Sequence, residues 1–184
     1  MLRTVELTNP LTGAKVIVGA GQVILMGVIN RSPESANRDV YVDSPREALV
    51  LAQRFVSAGV TVIDVGGQSS NYENPEIDVS LELERLLPTI RALAEVGHLV
   101  SVDTWKPEVA KRSLEAGAAL INDTGGLQDE RMVGVVADAS VPAILMHIEG
   151  TRPLEVGSYE SRSGQPGRIA EWMNERVANL GQRG

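Results

Sequence analysis

The chain has 184 residues, with 17 Lys and Arg against 24 Asp and Glu, a net charge of −7. Its 43% hydrophobic content is more than a disordered chain carries, and no apolar run is long enough to span a bilayer. The acidic balance excludes a nucleic-acid binder, while the absence of cysteine excludes disulfides and thiol chemistry and fits a reducing cytoplasm.

The N-terminus, Met1-Leu2-Arg3-Thr4, opens no basic-then-apolar leader, so no signal peptide is expected. Residues 5–20 offer two short strands around Asn9-Pro10-Leu11-Thr12-Gly13, a hairpin that could plug the bottom of a barrel. Five continuous apolar runs follow: Val23–Ile29, Val60–Val65, Leu99–Val102, Ala119–Ile121 and Val141–Met146. Unbroken runs of this kind read as parallel strands covered on both faces.

Helices separate the runs. The first opens Ser44-Pro45-Arg46-Glu47, with an N-cap hydroxyl, proline at the first helical position and a glutamate three residues after the cap; Gly59 is placed to stop it. The second spans about 80–96, and Pro88 inside it predicts a kink or a break. The third runs from Lys106-Pro107 to Gly117, the fourth over about 129–139 and the fifth over about 168–180. Residues 150–167 read as a long mobile loop. Arg46, Arg54, Arg85 and Arg91 are expected on solvated helix faces, and His98 at the surface. Trp105 is expected to stack on a ligand or anchor the next helix, and Trp172 and Met173 to pack on the sheet.

This alternation predicts a parallel sheet with right-handed crossovers, either an open doubly wound sheet or part of a (β/α)8 barrel. No glycine-rich phosphate loop follows the first strand. Polar residues gather where the strands end: Asn30; Asp64 followed by Gly66-Gly67-Gln68-Ser69-Ser70; Asp103-Thr104; Asn122-Asp123; and His147. In a parallel sheet these share one rim, where ligands bind, although Asp and Asn also cap turns there. Asp103 and Asn122 together suit a flat heterocycle bearing an amino group and a ring N–H. Asn30 and nearby carboxylates are hard oxygen donors suited to Mg²⁺ rather than zinc.

Five segments occur in order: Met26-Gly27-Val28-Ile29-Asn30-Arg31-Ser32-Pro33-Glu34-Ser35, Ile63-Asp64-Val65-Gly66-Gly67-Gln68-Ser69-Ser70, Ser101-Val102-Asp103-Thr104, Ile121-Asn122-Asp123 and Met146-His147. Together they resemble the dihydropteroate synthase, or pterin-binding, family. The resemblance implies an α/β fold of the (β/α)8 TIM-barrel type, of which residues 1–184 form a partial domain of about five β/α units. It implies condensation of 6-hydroxymethyl-7,8-dihydropterin pyrophosphate with p-aminobenzoate, releasing pyrophosphate, with Mg²⁺ as cofactor and no protein nucleophile. By matching motifs, Asp103 and Asn122 hold the pterin, Met146 lines its pocket, Ser70 stands near p-aminobenzoate, Asn30 helps bind the metal, and His147 is structural. The family is often homodimeric.

Two loops depart from the pattern. Ala36 stands where the family has phenylalanine, and Asn71 where it has arginine, so Arg31 or Arg38 would have to supply the lost cation. Five units account for the whole chain, so it is expected to be catalytically inactive alone. A pterin-binding paralogue without synthase activity and a methyltetrahydrofolate-binding methyltransferase domain are the alternative readings.

Overall fold

The computed structural model describes residues 4–19, 21–35, 37–71, 73–155 and 165–181. Strands β1 (Val5–Thr8) and β2 (Lys15–Val18) pair antiparallel as the expected hairpin. Five parallel strands follow: β3 (Met26–Asn30), β4 (Val62–Gly66), β5 (Leu99–Asp103), β6 (Leu120–Asp123) and β7 (Ala143–Leu145). They lie side by side in chain order. An unreversed order of this kind belongs to a barrel; a doubly wound sheet reverses at its switch point.

Helices α1 (Pro45–Ser57), α2 (Val79–Glu95), α3 (Pro107–Glu115) and α4 (Glu130–Ala139) connect the strands, and α5 (Gln165–Gly181) follows β7. The first four pack against one another in sequence. Alternation along the strands sorts side chains to two faces. Ile29, Ile63, Val65, Val100, Val102 and Ile121 pack outward under the helices, with Leu86, Ile90 and Leu93 of α2. Val62, Leu99 and Leu120 face inward and pack on Leu7 of the hairpin. The hairpin therefore does plug the amino-terminal end of the inner face. Asn9 pins it: fully buried, it donates from Nδ2 to the carbonyls of Ala94 (2.9 Å) and His98 (2.7 Å), while its Oδ1 accepts from the amides of Leu11 and Thr12.

Local chemistry explains the helix limits. Ser44 Oγ accepts from the Glu47 amide at 3.2 Å, as an N-cap should, and Asp78 and Asp129 cap α2 and α4 in the same way. The close packing of α1 on β3 requires Gly27, because a Cβ there would sit 2.6 Å from the ring of Phe55, the chain's one phenylalanine.

Several expectations are corrected. The helix α2 runs through Pro88 without a break. Pro88 and Glu84, whose carbonyl loses its usual partner, are both exposed, so water can satisfy that carbonyl. The fifth helix starts at Gln165, so the end of the presumed loop is helical; residues 156–164 lie outside the described residues. Asp64 sits in the middle of β4 rather than at its end, and His98 is half-buried. Arg46, Arg54 and Arg91 are exposed as expected, but Arg85 is half-buried and paired with Glu34. No helix among the described residues is long and apolar enough to cross a membrane.

Candidate functional site

Strand register builds the site. Asn30 pairs with Gly66, Gly66 with Asp103 and Asp103 with Asn122, so one row crosses four strands at their carboxyl ends. Gly66 is the gap in that row. A Cβ placed on it would lie 3.7 Å from both Asn30 Oδ1 and Asp103 Oδ2, so an amide oxygen and a carboxylate oxygen flank this buried glycine.

One layer deeper, Asp64 and Ser101 are register partners, both buried. Asn122 Nδ2 donates to Asp64 Oδ2 at 3.2 Å. That bond commits the amide nitrogen inward and leaves Asn122 Oδ1 for the mouth. Asp64 Oδ1 and Ser101 Oγ meet no partner in good hydrogen-bond geometry. Burial pushes the Asp64 carboxyl up, opposed by the nearby Ser101 hydroxyl and the Asn122 amide. Burial also pushes Asp103 up, to about 7, and the neighbouring Asp64 carboxylate adds to the rise; Thr124, which donates to Asp103 Oδ1 at 3.1 Å, works against it. Asp103 is thus a carboxyl poised to titrate near neutrality, a common property of functional groups in clefts.

The row rests on a buried polar cluster that the sequence reading missed. Lys106 Nζ lies 2.8 Å from Glu82 Oε2 and donates to Gln68 Oε1 at 2.7 Å and to the Ile77 carbonyl. Thr104 Oγ1 donates to Glu82 Oε1 at 2.8 Å. The cluster fastens α2 and the segment after β4 to the end of β5. The available signal was Glu82 itself, a charge on the α2 stripe continued by Leu86, Ile90 and Leu93.

Of the other expected site residues, Asn30 belongs to the row and the rest do not join it. Asn30 Nδ2 donates to Ser35 Oγ at 2.6 Å, which fixes the amide and leaves Oδ1 toward Gly66. Ser70 is exposed and makes no side-chain hydrogen bond among the described residues. Met146 is 37% exposed and follows Ile144, which packs toward the inner cluster. His147 meets Trp172 edge-on with ring centroids 5.1 Å apart, a packing role. Asp123 turns away from the mouth and accepts from the amides of Gly125 (2.7 Å) and Leu127 (2.8 Å), shaping the turn into α4. Neither candidate substitute cation is free. Arg31 donates to the carbonyls of Val42 and Arg85, and Arg38 donates to the Pro33 carbonyl and lies over the Tyr41 ring. Ala36 lies outside the described residues.

Consecutive parallel strands with a plugged amino-terminal end and polar groups at the carboxyl ends define a protein of the β/α-barrel class, in which ligands bind at the carboxyl ends of the strands. The chain belongs to the pterin binding enzyme family, whose profile matches residues 26–184. It is 36% identical over 163 residues to a dihydropteroate synthase of Escherichia coli, an alignment covering 87% of this chain and 57% of that protein. Its structure resembles that of the Yersinia pestis dihydropteroate synthase solved with a sulfonamide drug complex (TM-score 0.83, 30% identity, 98% of this chain and 64% of that one). It also resembles the Thermus thermophilus enzyme in complex with 4-aminobenzoate (TM-score 0.77, 29% identity, 97% and 61%). The chain thus spans about three fifths of the length of these relatives.

Proposed function

We propose that this chain is the pterin-holding part of a dihydropteroate synthase-type transferase. The observation that supports it best is the Asn30–Gly66–Asp103–Asn122 row, with acceptor oxygens of Asn30 and Asp103 on both sides of the glycine. Ionised Asp103 would accept from the amino group and ring N–H of the pterin, and Asn122, oriented by Asp64, would offer its Oδ1 to a further donor. The reaction joins the pterin methylene carbon to the arylamine nitrogen. The bond to the diphosphate oxygen breaks, diphosphate leaves with the electron pair, and the amine loses a proton. Positioning and charge stabilisation suffice for such a step.

The donor set fits Mg²⁺ in one way. Among the described residues no three Asp, Glu, His or Cys converge, so there is no all-protein cage, but Asn30 leaves one amide oxygen at the mouth. A Mg²⁺ ion that brings most of its ligands from a diphosphate and water needs little more. Asn30 Oδ1 would hold it there, and the ion would neutralise charge on the departing diphosphate. A cytoplasmic setting is part of the same proposal, supported by a chain without cysteine.

A second reading, a pterin binder without arylamine transfer, is favoured by the commitment of Arg31 and Arg38 to other contacts. Calorimetric titration of the chain with a dihydropterin analogue tests the first reading. Saturable binding is expected, lost in Asp103→Ala and Asn122→Ala chains that keep the wild-type circular dichroism. Binding indifferent to both substitutions would refute it. Addition of p-aminobenzoate to the pterin-loaded chain then separates the two readings.

A further inference from the structure

Arg85 reaches two rim loops from one helix. Its Nη1 and Nη2 fork onto Glu34 in the loop after β3, at 3.0 Å to Oε2 and 2.9 Å to Oε1. The same Nη1 donates at 3.0 Å to the carbonyl of Gly67, the first residue past β4. The Arg85 carbonyl accepts from Arg31 Nε at 3.2 Å, so the helix holds the first loop from both ends of one residue. Glu34 is steadied by Ser32 Oγ at 2.8 Å, and its own carbonyl accepts from Asn74 Nδ2 at 3.1 Å, a second link to the loop after β4.

The anchor is rigid. Arg85 sits beside fully buried Leu86 on α2, and its side chain is only 14% exposed. The guanidinium holds the Glu34 carboxyl down at about 2, so the pair stays charged across the physiological range. A planar fork that serves a carboxylate and a carbonyl together cannot be reproduced by an ammonium group.

We propose that Arg85 is a positioning residue that couples the loops after β3 and β4, so that they loosen and tighten as one unit beside the strand-borne row. The functional side of this rests on the pterin reading above, in which the row holds the pterin, and on the expectation that Ser70, in the second of these loops, stands near p-aminobenzoate. Glu34 touches Arg85 from the first loop alone, so its substitution reports on coupling.

The test is amide hydrogen exchange on the full chain as wild type, Glu34→Gln and Arg85→Lys. In both variants the hydrogen-bonded amides of the two loops, Arg31 and Ser35 in the first and Asn71 in the second, should exchange faster together, by roughly tenfold or more, with α2 and β5 unchanged. Faster exchange at Arg31 and Ser35 with full protection kept at Asn71 in Glu34→Gln would overturn the coupling. Should Arg85→Lys loosen α2 itself, Glu34→Gln alone decides. In calorimetry Glu34→Gln should leave affinity for the pterin analogue unchanged and weaken p-aminobenzoate about tenfold, whereas an equal loss of both ligands counts against a positioning role. A wild-type chain that binds no pterin would sink the pterin reading, and the exchange experiment would still rule on the coupling.

Discussion

The carboxyl of Asp103 makes two measurements depend on pH. Its folded value near 7 lies above the ordinary 3.8, so between these values the folded chain holds a proton that the unfolded chain has released. Stability therefore falls as pH rises through that window. An Asp103→Asn chain lacks this titration, and its melting temperature should gain on the wild type from pH 4 to pH 7 and run parallel above. A difference curve that is flat across the window would show that Asp103 titrates normally. Pterin affinity should run the other way: only the ionised carboxylate accepts from two donors, so affinity should rise to about pH 7 and then level. Nothing in the residue string exposes this shift. Asp103 could be placed at a strand end by pattern, but the desolvation and the Asp64 charge that lift it come from strand register.

At the level of elements, pattern was a good guide where local chemistry decides and a poor one where distant partners do. Ser44 with Glu47 announced α1, and the continuous apolar runs announced all five parallel strands, although β3 starts at Met26 rather than Val23. The solvated face assigned to Arg85 was wrong because its partners, Glu34 and Gly67, lie 51 and 18 residues away, beyond any helical periodicity. Asn9 was likewise invisible: inside a turn it looks like an ordinary turn former, yet it joins the hairpin to the end of α2. An Asn9→Ala chain should lose about 3 kcal/mol of unfolding free energy, since four hydrogen bonds go and the His98 carbonyl and the Leu11 and Thr12 amides lose their Asn9 partner. Chemical denaturation gives that number directly. A loss below about 1 kcal/mol would mean that the hairpin is held by the apolar contacts of Leu7 instead.

The whole molecule presents an unbalanced surface. Within the five-stranded sheet β3 and β7 are the edges, and the inner face near β3 exposes Met26 and Val28 at 41% and 42%. Exposed strand edges with apolar flanks pair with other chains. Sedimentation velocity should accordingly show concentration-dependent association of this chain, diminished in Val28→Lys, which puts a charge on that face. A wild-type chain that stays monomeric to high concentration would show that the edge is already protected. The barrel family was legible from five short segments in order, whereas the fate of the exposed face is a property of the assembled sheet and is written in no single segment.

The Asn9 pin also sets an order in time. The hairpin is synthesised well before its anchor, because the two anchoring carbonyls belong to residues 85 and 89 positions further on. Until those residues leave the ribosome, Asn9 lacks both of these acceptors, and Leu7 lacks the Leu99 and Leu120 part of its inner cluster. The hairpin must wait through the making of two strands and two helices before it docks, and long-range closure of this kind slows folding. The floor of the barrel is made before the walls that hold it and laid late.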